Sequence, residues 1–355
     1  ITEEEAIVET TRILRESTKM RMISEVPLGA FLSGGVDSSI VVALMAQESS
    51  APVKTFSIGF EEQDFSELKY AKRVAEHVGA EYNEFIVRPN ALDVIPTLVD
   101  HYGEPYADSS AIPTYYVAKE TRRHVTVALN GDGGDESFAG YERYMAMEIA
   151  EVYKRIPKPL RKAFIEAPIN FLPTSEIKKT RLRDVQRFFT SANENVNARY
   201  FRWMSTFKPA VKPDIYTSDF AAKVSQQDTG ALLDQWFDRA NGSGILDASL
   251  LTDQMTYLPN DLLVKVDIAT MANSLEARSP FLDHKLIEFA ASLPESIKMN
   301  RFRPKSMLKK VAARLVPKEV VYRQKMGFGV PVGNWFRGEM KDFVRGVLLS
   351  ESSLN

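Results

Sequence analysis

The 355-residue chain is expected to fold as an α/β protein, with a parallel sheet covered by helices on both faces over about residues 25–145 and a mainly helical half over about 146–355. Three observations predict this. Short apolar runs rich in β-branched and aromatic residues at 28–32, 53–58, 82–87 and 125–129 alternate with helical patterns near 38–47, 66–78 and 111–122, and alternation of this kind needs crossover connections. A Ser-Gly-Gly turn joins the first such run to the first such helix. From about Tyr141 the strand-like runs fade, and helical segments interrupted by prolines replace them.

The opening stretch 3–24 reads as a helix, because Thr2 followed by Glu5 forms a capping box. Since the chain starts at Ile1 with so clean a helix start, a cut at a domain boundary is expected. The string Leu32-Ser33-Gly34-Gly35-Val36-Asp37-Ser38-Ser39 then leads from a strand into a helix. Two glycines let the backbone turn tightly, and the helix aims its unpaired N–H groups and positive dipole end at the turn. The hydroxyls of Ser33, Ser38 and Ser39 add donors for phosphate oxygens. A carboxylate at Asp37 would repel bare phosphate unless a divalent cation lay between them, so the loop suggests magnesium-bound polyphosphate. No Gly-x-x-x-x-Gly-Lys-Ser/Thr occurs in the chain, which disfavours transfer of a terminal phosphoryl group. The competing reading is a turn whose serines merely cap the helix.

After the run 125–129, Gly131-Asp132-Gly133-Gly134-Asp135-Glu136 packs three carboxylates and three glycines into six residues. A solvated acidic turn and a calcium-like loop without the remaining EF-hand spacing are the alternatives. Further on, Asp261 and Lys265 stand four apart with Asp267 beside them, and Glu276-Ala277-Arg278 follows on what reads as a helix. The first two could form an ordinary helix-surface ion pair, and Arg278 with Asp283 a buried pair that locks the helix end. Lys325 lies among Arg323-Gln324-Lys325-Met326-Gly327-Phe328-Gly329. The four histidines show no ligand spacing and receive no role.

Bulk properties exclude other chemistry. With no cysteine, disulfides, zinc thiolate sites and thiol nucleophiles are ruled out. A formal net charge of −2 with 26% charged residues gives no excess of basic residues for a nucleic-acid track. Without a signal peptide or membrane-spanning run, a cytoplasmic location is expected.

The string Ser-Gly-Gly-Val-Asp-Ser-Ser resembles the pyrophosphate-binding loop (PP-loop) of the ATP pyrophosphatases, which cleave ATP between the α and β phosphates. Three further strings, Leu129 to Glu136, Leu275 to Asp283 and Arg323 to Pro331, are similar to the synthetase domain of glutamine-hydrolysing asparagine synthetases, and the resemblance runs from about Glu3 to about Arg345. It implies a Rossmann-like sheet of the adenine nucleotide α-hydrolase type and a ligase using ATP and Mg2+. In such enzymes aspartate is adenylated to β-aspartyl-AMP with release of pyrophosphate, and ammonia then gives asparagine and AMP. By resemblance, Phe31 and Ile58 flank adenine; Ser33, Gly34, Gly35, Asp37, Ser38 and Ser39 hold pyrophosphate; and Asn130 and Gly131 approach the adenylate. Asp132 is then the base for ammonia or the anchor for the substrate ammonium, Asp135 helps hold metal or substrate, Asp37 is a metal ligand, and Lys325 stabilises the pentavalent phosphorus. Asp261 or Asp267, together with Glu136, would face the substrate.

The same resemblance implies that the glutaminase domain is absent from this chain, leaving free ammonia or ammonia delivered from elsewhere as the nitrogen source. It leaves room for a homodimer and expects no nucleic-acid or membrane partner. Asn130, Asp132, Ala139 and Ser279 stand where serine, glutamate, glycine and valine are frequent in the family, which keeps the acceptor open. The alternatives are amidation or ring closure on another carboxylate, as in β-lactam synthetases, and a non-catalytic adenylate-binding module.

Overall fold

In the computed structural model, the described residues are 1–59, 67–87, 91–167, 185, 188–189, 191–207, 211–224, 228–240, 242–323, 332–338 and 340–354. Two compact units divide them: the first comprises Ile1–Gly134, Leu258–Leu293 and Met307–Asn355, the second Asp135–Tyr257 and Pro294–Ser306.

The first unit is built on a parallel sheet, as the alternating pattern requires. Helix α1 (Glu3–Arg21) starts on the expected capping box, with acidic residues in its first turn and basic ones in its last, each complementing the helix dipole. Strand β1 (Leu28–Phe31), helix α2 (Val36–Glu48), β2 (Lys54–Gly59), α3 (Leu68–Val78), β3 (Glu81–Ile86), α4 (Ala91–Tyr102), α5 (Ala111–Arg122) and β4 (Val127–Leu129) follow. A fifth strand, β5 (Glu276–Arg278), completes the order β3-β2-β1-β4-β5, all neighbours running parallel. The segment read from sequence as helical at 276–278 is therefore an edge strand. Its ladder to β4 continues through the Asn130 N–H, which donates to the Arg278 carbonyl at 2.9 Å.

Helix α2 follows β1 after only a turn, and every residue from Ser38 to Met45 in it is buried, as befits an apolar segment packed among the other elements. Phe56, Ala118, Val125, Ala128 and Leu275 make one buried cluster joining β2, β4 and α5. Helix α4 was not expected, because Pro96 sits inside it; it closes a second cluster through Val94, Leu98 and Tyr102, spaced four apart along one face.

The chain leaves β1 for β2 on one side of the sheet, whereas β4 pairs with β1 on the other. The carboxyl ends of β1 and β4 thus form the point where strand order reverses, the place where open α/β sheets take ligands. Both loops singled out in the sequence start there.

The second unit is helical. Short α6 (Gly134–Ser137) bridges into it from the first, and α7 (Glu142–Lys154) with the helices Val196–Met204, Ala231–Arg239 and Ile245–Met255 surrounds a core of Met147, Tyr200, Phe237 and Ala248. At its centre the fully buried Asp253 accepts from the Arg143 guanidinium at 2.5 Å and from the hydroxyls of Tyr144 and Tyr200. Three donors around one carboxylate satisfy a charge that would otherwise be costly to bury. Among the described residues, no helix is long and apolar enough to cross a membrane.

Candidate active site

The turn after β1 forms a self-bonded ring of donors. Gly35 N–H donates to Ser33 Oγ at 3.1 Å, the Ser33 and Ser38 hydroxyls lie 3.0 Å apart, and Ser33 N–H reaches Ser38 Oγ at 3.3 Å. Gly34 holds φ +70, where a side chain would sit 2.6 Å from the Ala71 backbone nitrogen, so only glycine fits. Ser39 is fully buried, and its Oγ has no hydrogen-bond partner among the described residues. At the base of the turn, Ser57 Oγ donates to the Leu32 carbonyl at 2.5 Å and ties β2 to it. Phe31 ends β1 and Ile58 is the last residue but one of the neighbouring β2, both half-buried.

The loop after β4 packs against this turn. A Cβ at Gly131 would meet Asp37 Cβ at 2.7 Å and Ser38 N at 2.8 Å, and one at Gly134 would meet Asp37 Oδ1 at 2.5 Å. Gly133, at φ +90, faces Leu282 in the same way at 2.5 Å. In this structure the three glycines close on Asp37, in the first turn of α2, and on Leu282. Asn130 Oδ1 accepts from Asp132 N–H at 3.3 Å, and Asp132 is half-buried. The Ser279 hydroxyl donates to the Asp132 carbonyl at 2.5 Å, so the serine at this position gives the acidic loop an anchor that valine could not supply.

A second polar group in the first unit gathers Asp261. Its Oδ1 accepts from the Tyr106 hydroxyl at 2.9 Å. Burial raises its pKa, the Tyr106 hydrogen bond opposes this, and the charge of Asp108 adds to it. Lys265, which sequence spacing offered as the partner of Asp261, instead meets Asp108 at 2.8 Å and Ser110 Oγ at 2.9 Å. Burial pushes Asp108 up, but the Lys265 charge and hydrogen bond outweigh it and hold the carboxyl below its usual range. The reason for the exchange of partners is a π turn at Leu258–Leu262, which breaks the i, i+4 register. Asp267 is exposed. Arg278 and Asp283 do not pair with each other: Arg278 binds Glu276 at 2.7 Å and the carbonyls of Arg21 and Ile23, while Asp283 meets Arg21 at 3.0 Å and caps the helix His284–Ser292.

In the second unit, Asp135 meets Lys305 Nζ at 2.6 Å. Gly140 is required beside them, since a Cβ there would overlap the Asp135 carboxylate. Lys305 is only 5% exposed and holds φ +58; sequence reasoning passed over it, the one signal being a basic residue directly after Pro304. Glu136 is 1% exposed and accepts from the Tyr141 hydroxyl at 2.5 Å. Burial, then the charge of Asp135, pushes its pKa up to about 7. The Arg143 guanidinium stacks 3.9 Å from the Tyr141 ring centre, holding that tyrosine between the Glu136 and Asp253 groups.

Lys325 and its neighbours at 324–331 lie outside the described residues, as does Ser66 at the start of the expected helix 66–78. No cluster of three or more His, Cys, Asp or Glu suited to a metal occurs among the described residues. A cavity of about 280 Å³ lined by Met22, Leu28, Met45, Pro52 and Lys54 opens at the amino ends of β1 and β2, the opposite end of the strands from both loops.

The family model for asparagine synthase matches residues 9–354. Asparagine synthetase [glutamine-hydrolyzing] 1 of Bacillus subtilis is 36% identical over 349 residues, covering 98% of this chain and 53% of its own length. A putative asparagine synthetase [glutamine-hydrolyzing] of Mycobacterium tuberculosis is 34% identical over 94% of this chain and 50% of its own. An amidase, chyE of Penicillium rubens, is 24% identical over 99% of this chain and 56% of its own length. The chain spans about half the length of these curated relatives.

Proposed function

Because the chain belongs to the asparagine synthase family, we propose that it is the ligase part of an ATP-dependent amide-forming enzyme, with aspartate as the acid and ammonia as the nitrogen donor. The observation that carries this reading is the meeting of the two loops at the sheet's reversal point, where Gly131 and Gly134 close on Asp37. A carboxylate is a poor electrophile with a poor leaving group. In the proposed reaction, a side-chain carboxylate oxygen of aspartate attacks the α-phosphorus, the α–β bridging bond breaks, and pyrophosphate leaves with its electron pair. Ammonia then attacks the acyl carbon, loses a proton, and displaces AMP.

The residues divide the work by their positions. The turn from Ser33 to Ser39 offers hydroxyl and N–H donors for pyrophosphate at the α2 N-terminus. Phe31 and Ile58 present half-buried apolar surface to adenine, and Asn130 and Gly131 border the adenylate. Asp132 takes the proton from ammonia or anchors the ammonium of aspartate, with its loop held by Ser279. Asp261, raised above its usual pKa by burial, and Glu136 in the second unit remain substrate-facing proposals, as does the exposed Asp267. Lys325 supplies a compact positive charge for the transition state.

Magnesium commonly takes one or two carboxylates together with phosphate oxygens and waters, and Asp37 at the mouth of a phosphate-binding turn fits that donor set. Bound there, the ion would neutralise charge on the departing pyrophosphate. Asp135, the other proposed metal donor, is paired with Lys305 in this structure. The nitrogen source in the whole protein is proposed to be a glutaminase part of the kind named in the relatives, and a cytoplasmic setting and a homodimer are proposed with it. The amidase name of the Penicillium relative, together with Asn130, Asp132, Ala139 and Ser279 at their altered positions, favours one second reading: amidation of a different carboxylate.

Pyrophosphate release across a panel of carboxylates tests both. Release that requires aspartate and ammonia supports the first reading, release with another acid supports the second, and no release with any acid contradicts both.

A further inference from the structure

We propose that Arg323 is a positioning residue for the turn after β1, setting the direction of the Gly35 N–H; the inference rests on reading that turn as a pyrophosphate cradle. The Arg323 guanidinium donates to the Gly34 carbonyl, through Nη2 at 3.1 Å and Nε at 3.4 Å. The same Nη2 pairs with Glu67, and the guanidinium carbon lies 4.5 Å from the Tyr70 ring centre. The side chain is 9% exposed. Glu67 and Tyr70 bracket the start of α3, the helix whose backbone at Tyr70 and Ala71 presses on Gly34 so closely that a Cβ there would lie 2.6 Å from Ala71 N. Arg323 itself follows the short helix Lys318–Val321, which packs on α3 and is tied to it by the Arg73–Glu319 pair at 2.5 Å.

The Gly34 carbonyl and the Gly35 N–H belong to one planar trans peptide and point in opposite directions. Holding the carbonyl on the outer side of the turn therefore fixes the N–H on the inner side, where it now meets Ser33 Oγ at 3.1 Å. A glycine pair without that restraint would be free to flip this peptide. Glu67 already answers the charge of Arg323, so the contribution is geometric: the arginine preorganises a backbone donor and does not itself serve as the cation for a polyanion.

The clamp needs a flat fork that serves a carbonyl and a carboxylate at once, which a lysine cannot reproduce. Calorimetric titration of the protein and of Arg323→Lys with magnesium pyrophosphate and, separately, with AMP tests it, with melting temperature as the control. The expected result is pyrophosphate affinity lowered about tenfold or more, the scale of one charge-assisted hydrogen bond, with AMP affinity and melting temperature retained. Glu67→Gln, which keeps the arginine, is expected to give a smaller loss for the same ligand only. Unchanged pyrophosphate affinity in both variants overturns the proposal. Equal loss of both ligands with a fall in melting temperature also overturns it, since that marks a purely structural role. Wild-type protein that binds neither ligand overturns the nucleotide reading and this inference with it.

Discussion

Replacing Gly134 with alanine separates the placement of Asp37 from the stability of the fold. The added methyl would lie 2.5 Å from Asp37 Oδ1, 2.9 Å from its Cγ and 3.4 Å from Phe281 Cδ1. Carbon and oxygen rest roughly 3.3–3.6 Å apart, so the carboxylate must retreat by about 0.8–1.1 Å. The atom that moves is the end of a side chain, and turning it off its preferred rotamer costs about 0.5–1.5 kcal/mol. Alanine in place of glycine in the helical turn Gly134–Ser137 returns about 0.5–1 kcal/mol. Net stability should therefore change by less than about 1 kcal/mol. A reacting group displaced by about 1 Å can lose roughly a hundredfold in rate, or about 2.7 kcal/mol of barrier. Aspartate-dependent pyrophosphate release and a thermal melt read the two quantities side by side. Gly79→Ala provides the comparison: at φ +69 with nothing within 4 Å of its added methyl, it should cost about 1–2 kcal/mol of strain and leave turnover alone. Turnover of Gly134→Ala within twofold of wild type, with an unchanged melt, would refute the requirement for Asp37 at its observed position.

Two further outcomes are expected in the second unit. Asp253→Ala strands the guanidinium of Arg143 and the hydroxyls of Tyr144 and Tyr200, and urea unfolding should record a loss of about 3–5 kcal/mol; a loss under about 1 kcal/mol would mean these groups find other partners. Glu136 is raised from 4.5 to about 7 by burial and then by Asp135, so the folded protein holds a proton there that the unfolded chain releases. Its contribution is present in full below pH 4.5 and is lost as pH rises towards 7. Glu136→Gln should flatten that fall in stability measured by denaturation across the window. Glu148, pushed to about 7 by burial and by Glu295, retains a slope of the same sign, and an unaltered total slope would contradict the assignment to Glu136.

The alternation of apolar runs and helical patterns made the sheet legible, and the Ser33–Ser39 turn pointed to the end of β1 where the two loops meet. Strand β5 was hidden because three residues between a helix and a turn carry no period, and Glu276 and Arg278 looked like a helical surface. Helix α4 was obscured by Pro96, although Val94, Leu98 and Tyr102 at intervals of four carried its signal. Partner choice was the least legible feature. Asp261 with Lys265 and Arg278 with Asp283 are close in sequence, yet the pairs that form, Lys265 with Asp108 and Asp283 with Arg21, join residues that only the tertiary fold brings near. The same holds for Lys305 on Asp135 and Arg323 on Gly34: neither segment has a spacing that points to its target.

The most direct measurement follows labelled oxygen from the acid. With aspartate carrying 18O in its side-chain carboxylate, attack at the α-phosphorus predicts one labelled oxygen in AMP for each amide formed, with pyrophosphate unlabelled. Label recovered in orthophosphate alongside ADP would place the attack at the γ-phosphorus and contradict the account of the two loops.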